Sequence, residues 1–236
     1  MPDNPNISNE QLQSNPEWGL WLNFNPESSE IVHQFCGPHE IQGATCPDCS
    51  KPLLRLISLS ATDPRLNLDP AKTSVVHLLY CWTCSIPYGV FSYHLRPNGS
   101  VELLDLPAPF ETAFGPNGPY DGYTGNFPLR TVGLIPLSEL EQQNQRAALL
   151  DNDLALDLFD PKHQVGGFPV IANPQEIMCP VCSKPSPHFA VICDDASGNQ
   201  SGEVEAGSSF TDNSSIQMVF HLCRDCSVVS AYHSNE

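Results

Sequence analysis

The chain has 236 residues, enough for one large domain or two small ones with a packed core. Hydrophobic residues make up 40% and charged residues 16%, with 23 prolines and 15 glycines, which points to a turn-rich, strand-leaning protein and away from a helical bundle. Twenty-seven acids against 10 bases give a formal charge of −17 spread over both halves, so nucleic acid is excluded as a partner and a basic protein fits better.

Residues 1–30 read as an N-terminal arm, polar with three prolines over 1–17 and then carrying the aromatic cluster EWGLWLNF (17–24), which is expected to dock onto the first folded unit. The start lacks a basic region followed by an apolar one, and no run of 18 apolar residues occurs, so the expectation is a cytoplasmic chain without a membrane span. Apolar, β-branched runs predict strands over 53–60, 74–81, 88–95 and 100–104, with RPNGS (96–100) as the turn between the last two. Residues 107–128 are dense in Pro, Gly, Asn and Tyr and read as an irregular connection. A capping box at Ser138 and Glu141 then opens a helix expected to run at least to Leu150, with Leu140, Ala147 and Leu150 on a partial apolar face. Further strands are predicted at 188–193, 216–223 and 228–232, and the polar stretch between the first two reads as a loop.

The cysteines carry the chemistry. Eight of the ten form four C-x2-C pairs: Cys46/Cys49, Cys81/Cys84, Cys179/Cys182 and Cys223/Cys226. Two such hooks presented from separate loops make a tetrahedral thiolate cage, because the two-residue spacer lets both sulfurs of a hook reach one ion. In a reducing compartment metal is favoured over disulfides. CPDCSKP (46–52) returns as CPVCSKP (179–185), identical at six of seven positions. HQFCG (33–37) likewise returns as HQVGG (163–167), and apolar runs lead into C-x2-C-S both times. The landmarks keep their order, which predicts an internal duplication.

The expected fold is therefore α+β and mostly β, with two zinc-stapled, zinc-ribbon-like units over 31–106 and 162–236 and a connection with one helix over 107–161. Two Zn2+ per chain are expected, and iron would suit the same sulfurs. Four thiolates leave no open coordination position, so both sites read as structural. Cys36 and Cys193 read as packing thiols, and His77, His94, His221 and His233 as strand or surface residues rather than ligands. No nucleophile elbow, P-loop or H-E-x-x-H motif occurs, and no catalytic residue is assigned.

KHQVGGFPVIANPQEIMCPVC (162–182) resembles the opening motif of the YwqG-like bacterial family through Lys162, Gly166, Gly167, Phe168, Pro169, Cys179 and Cys182. MVFHLCRDCSVVSAYHS (218–234) resembles that family's closing strand and second hook, and CPDCSKPLLRLISLSATDP (46–64) its earlier half. The family is itself similar to the programmed cell death protein 2 family. The resemblance implies a duplicated, mostly β fold, no established enzyme activity, and a protein-binding role, either as a dedicated partner chaperone or as a toxin-neutralising protein. Two other readings stay open: an enzyme with its site between the repeats, drawing on the 107–128 and 194–213 loops, and a rubredoxin-like iron electron carrier.

Overall fold

The computed structural model describes residues 19–27, 31–46, 50–81, 90–104, 127–150, 162–193 and 217–234. Among the described residues, eleven strands and one α-helix run in the order β1 (Gly19–Asn23), β2 (His33–Phe35), β3 (Leu54–Ser60), β4 (Val75–Tyr80), β5 (Phe91–Leu95), β6 (Val101–Leu103), β7 (Arg130–Pro136), α1 (Glu139–Ala148), β8 (Gln164–Gly166), β9 (His188–Cys193), β10 (Gln217–Cys223) and β11 (Val228–Ser234), with a short 3-10 helix at Pro64–Leu66 after β3. All strands join one antiparallel sheet in the order β4-β3-β2-β7-β1-β8-β9-β10-β11-β5-β6. No described helix is long and apolar enough to cross a membrane.

The seven strands expected from apolar runs are all present. Four were not expected. β2 and β8 are three residues each, too short to show a period, and β1 and β7 lie in stretches read as arm and connection. β7 reads RTVGLIP, with a glycine at its centre and a proline at its end, which masks its β character. The arm before residue 19 and the connection over 105–126 lie outside the described residues.

β1 and β7 sit together at the middle of the sheet, paired from Leu20↔Pro136 to Asn23↔Gly133. Each also pairs with a strand distant in sequence: β1 with β8 and β7 with β2. Two glycines record the close approach. A Cβ on Gly167 (φ +65) would stand 2.8 Å from Gly19 Cα, and one on Gly37 (φ +83) would stand 2.6 Å from Leu129 Cβ. Only glycine tolerates both the positive φ and the contact.

Registers on the two sides of this centre match. His33 Nδ1 accepts from Ser60 N–H at 3.1 Å, and His163 Nδ1 accepts from Cys193 N–H at 3.1 Å. The β3–β4 ladder skips one residue at Leu56, and the β9–β10 ladder skips one at Phe189.

The sheet curls until its β4 edge meets β5 and β11. Tyr93 on β5 is fully buried, and its hydroxyl accepts from Leu79 N–H at 2.9 Å while donating to His77 C=O at 2.8 Å. It thus takes the place of a neighbouring strand on the β4 edge. Tyr80 Oη lies 2.8 Å from His233 Nδ1 across the same seam. Inside the curl lie Phe35, Ile57, Leu59, Leu78, Phe91 and Phe220, each 0% exposed.

The helix begins as its capping box predicts. Ser138 Oγ accepts from Glu141 N–H at 3.2 Å and Glu141 Oε2 accepts from Ser138 N–H at 2.7 Å. It ends at Ala148, two residues short of the expected Leu150. The expected apolar face is not used: Leu140 is 66% exposed and Leu150 85%. Polar contacts dock α1 instead, Trp21 Nε1–H to Glu141 at 3.1 Å and Gln145 to Gln164 at 2.6 Å.

Tyr93→Phe removes both bonds to β4 and leaves a buried N–H and C=O unpaired. The expected cost is about 1–3 kcal/mol in denaturant unfolding. An unchanged midpoint would show that the hydroxyl does not hold the seam.

Candidate metal centre

The first hook of the second half precedes β9 and the second joins β10 to β11. In the first, Cys179 N–H donates to Lys184 C=O at 2.8 Å and Ser183 N–H to Cys179 C=O at 2.8 Å, while Met178 bridges Pro185. The turn needs Ser183 at φ +56, and Ser227 closes the second hook at φ +54. A left-handed serine is unfavourable by roughly 1–3 kcal/mol, so packing around the hooks must hold these turns in place.

These turns aim Cys179, Cys182, Cys223 and Cys226 inward, with all four Sγ atoms within 4.8 Å of one another. Cys182 Sγ and Cys223 Sγ are 3.7 Å apart. An ion with metal–sulfur bonds of about 2.3 Å places its four sulfurs roughly 3.8 Å apart, so the group can hold a tetrahedral metal ion. Cys179 and Cys223 are buried beside Val228, while Cys182 and Cys226 are half-buried. Lys184 and Asp225, one from each hook, meet at 3.0 Å on the exposed rim. That pair contributes little by itself but spans the hooks.

Electrostatics agree with the geometry. The main-chain N–H of Lys184 holds Cys182 below the usual thiol range. Burial, followed by the neighbouring sulfurs, pushes Cys223 up and Cys226 up to about 12. Four thiols this close do not all ionise without a cation between them.

In the first half, Cys46 and Cys81 are buried at 1% and 2% exposure, and Cys49 and Cys84 lie outside the described residues. What is described of that first hook repeats the other. Cys46 N–H donates to Lys51 C=O at 2.8 Å, Ser50 N–H to Cys46 C=O at 3.0 Å, Thr45 bridges Pro52, and Ser50 has φ +59.

The remaining candidates sit apart from the sulfurs. Cys36 is buried, which pushes its thiol up to about 12, and its carbonyl accepts from Arg55 Nε at 2.9 Å. Cys193 is buried with Sγ 3.2 Å from Lys162 C=O. His77 bonds Ser58 Oγ at 2.8 Å, His233 bonds Tyr80, and His221 donates from Nδ1 to Ser186 C=O at 2.7 Å. His94 is half-buried on β5.

Sequence reasoning passed over Arg55, which donates to Cys36 C=O, Gln34 Oε1 and Pro38 C=O, and His188, the cross-strand partner of His221. Neither carries a motif, and the signal lies in pairing register alone.

A cleft of about 300 Å³ opens between β1, α1 and β8, lined by Trp21, Glu141, Gln145, Lys162, Gln164 and Gln217. Its polar groups largely bind one another: Gln145 and Gln164 pair through both amides, and Gln217 bonds Val170 C=O and Ala172 N–H. Lys162 lies over the Trp21 ring at 5.6 Å. Glu141 and Lys162 both line it; the Ser138 hydrogen bonds, and after them Trp21 and Lys162, hold the Glu141 carboxyl below its usual range. The 194–213 loop and residues 107–126, weighed for an enzymatic site, lie outside the described residues.

No family model matches the chain, and neither a curated protein nor a solved structure matches it.

An ion bound at a free concentration a thousandfold above its dissociation constant stabilises the fold by about 4.1 kcal/mol. For a chain of this size, that corresponds to a melting shift of about 8–16 °C on chelation. Cys182→Ser should shrink the chelator's effect by this site's share, and Cys193→Ala should leave it whole. A melting temperature indifferent to chelation in the unmutated protein would count against a structural ion.

Proposed function

We propose that this chain is an internally duplicated, zinc-stapled β protein that binds a protein partner. The observation that carries the reading is the convergence of Cys179, Cys182, Cys223 and Cys226, whose sulfurs all lie within 4.8 Å of one another. Zinc is the ion of choice because it favours four thiolates in tetrahedral geometry and makes no redox demand. Cys46, Cys49, Cys81 and Cys84 form the second site. Its support is the repeated hook turn at Cys46–Lys51 and the burial of Cys46 and Cys81. Duplication is supported by the matched histidine bonds, the matched skips at Leu56 and Phe189, and the paired glycines Gly37 and Gly167. In this reading the two repeats exchange their first strands, β1 crossing to the second repeat and β7 to the first.

The ions are structural. Four sulfurs leave no coordination position for substrate, and such sites contribute roughly 10–16 kcal/mol of apparent binding energy to folding. The charge of −17 then selects a basic protein partner. The resemblance to the YwqG-like and programmed cell death protein 2 families supports the same role, as a partner chaperone or a toxin-neutralising protein. Iron in the same sulfurs would make the chain an electron carrier, and a red preparation would reveal it.

The tagged full-length protein, captured from cell extract and washed over a salt gradient, is expected to retain a basic protein that elutes as salt rises. Recovery of nucleic acid, or of acidic proteins alone, would contradict the reading.

A further inference from the structure

Among the described residues, buried side-chain nitrogens and oxygens without a hydrogen-bond partner occur at Ser186, His188, His221 and Arg224. Ser186, His188 and His221 are 4%, 8% and 7% exposed and lie at the hook end of the β9–β10 ladder. Arg224 stacks over Phe189 instead, 5.7 Å from its ring. Leaving a polar group unpaired in such a place costs about 1–3 kcal/mol, so the two neighbouring imidazoles call for an occupant.

The histidines are arranged as ligands. His221 Nδ1 is 2.7 Å from the Ser186 carbonyl, which can only accept, so the ring proton is on Nδ1. The Nε2 lone pair is thereby left free and buried. A backbone carbonyl fixing the far nitrogen in this way is the usual support of a metal-binding imidazole. His188 is the direct cross-strand partner of His221, and both of its ring nitrogens are unpartnered, the nearby Ala190 main chain falling short of hydrogen-bond geometry. The two ring centres are 5.9 Å apart and nearly perpendicular at 85°. Imidazoles sharing one ion at about 2.0–2.1 Å per nitrogen place their ring centres roughly 5–6 Å apart.

Two further features point the same way. A strap over 170–177 closes this face, pinned by Gln217 to Val170 and Ala172, by Ser234 to Asn173 and by Tyr232 to Gln175. At the positions of the first half matched by register, Leu53, Arg55 and Leu79 replace Ser186, His188 and His221, and each guanidinium nitrogen of Arg55 makes a hydrogen bond. Among the described residues, the unpartnered pair thus has no counterpart in the first half.

We propose that His188 and His221 bind a further divalent ion of the zinc type. The inference rests on the zinc reading above, because four thiolates around one dication keep a net negative charge. Cys223 lies two residues beyond His221 on the same face of β10, about 7 Å along the strand, so that charge favours a cation at the imidazoles.

The test is zinc per chain by elemental mass spectrometry on full-length protein at buffered free zinc, with a parallel count of metal-protected thiols. His188→Phe and His221→Phe are each expected to lose about one zinc per chain while the protected-thiol count stays at the wild-type value. Equal zinc in wild type and both folded variants overturns the proposal and leaves a buried water as the occupant. On the unmutated protein, histidine ring nitrogen NMR during zinc addition is expected to move His221 Nε2 and one nitrogen of His188 after the thiols are saturated. Ring signals that stay in place overturn the proposal whether or not the variants fold. Unprotected thiols in wild type would instead sink the four-cysteine reading, so the two failures are distinct.

Discussion

Four cysteine sulfurs within 4.8 Å of one another are a constraint that much of the second half answers to. As thiolates their charges would repel and their burial disfavours ionisation, so the four can ionise together only around a cation, and the group is one that could hold a metal ion. The turns that deliver the sulfurs are unfavourable in isolation, with Ser183 and Ser227 both held at positive φ. Closing the hooks also sets local register. Cys223 pairs with Val228 across the second hook, and β9 enters the sheet directly after the first.

The middle of the sheet obeys a different constraint. β1 and β7 each contribute a strand to a ladder whose other members are far away in sequence. Long-range pairing of this kind gains its contacts only after loop closure, which slows folding but leaves few ways to take the structure apart piecemeal. Gly37 and Gly167 stand where those strands cross, and any side chain there would strike backbone or a neighbouring residue. Cutting the chain between the halves would strip each ladder of a central strand. The tyrosine seam at Tyr93 then closes the curl from the other end.

What the sequence made legible was local. Long apolar runs such as LRLISLS, VVHLLY and QMVFHLC announced β3, β4 and β10 within a residue of their observed ends. The C-x2-C spacing announced the sulfur cluster, and the Ser138–Glu141 box announced the start of α1. What stayed hidden was pairing. Nothing local says that β1 lies beside β7 and β8, or that β5 pairs with β11. The helix misled because its leucines suggested a buried face, while its real attachment is through Glu141 and Gln145. The pairing of His188 with His221 depends on the skipped residue at Phe189, which no spacing rule anticipates.

The most direct measurement is to titrate the thiols of the native protein with a mercurial reagent while monitoring zinc released into a metal-sensitive dye. Zinc is expected to leave in step with the hook cysteines, at least one ion for every four thiols, and structure is expected to be lost with it. Thiols that react freely with no zinc released, in a protein that stays folded, would contradict a structural role for the sulfur cluster.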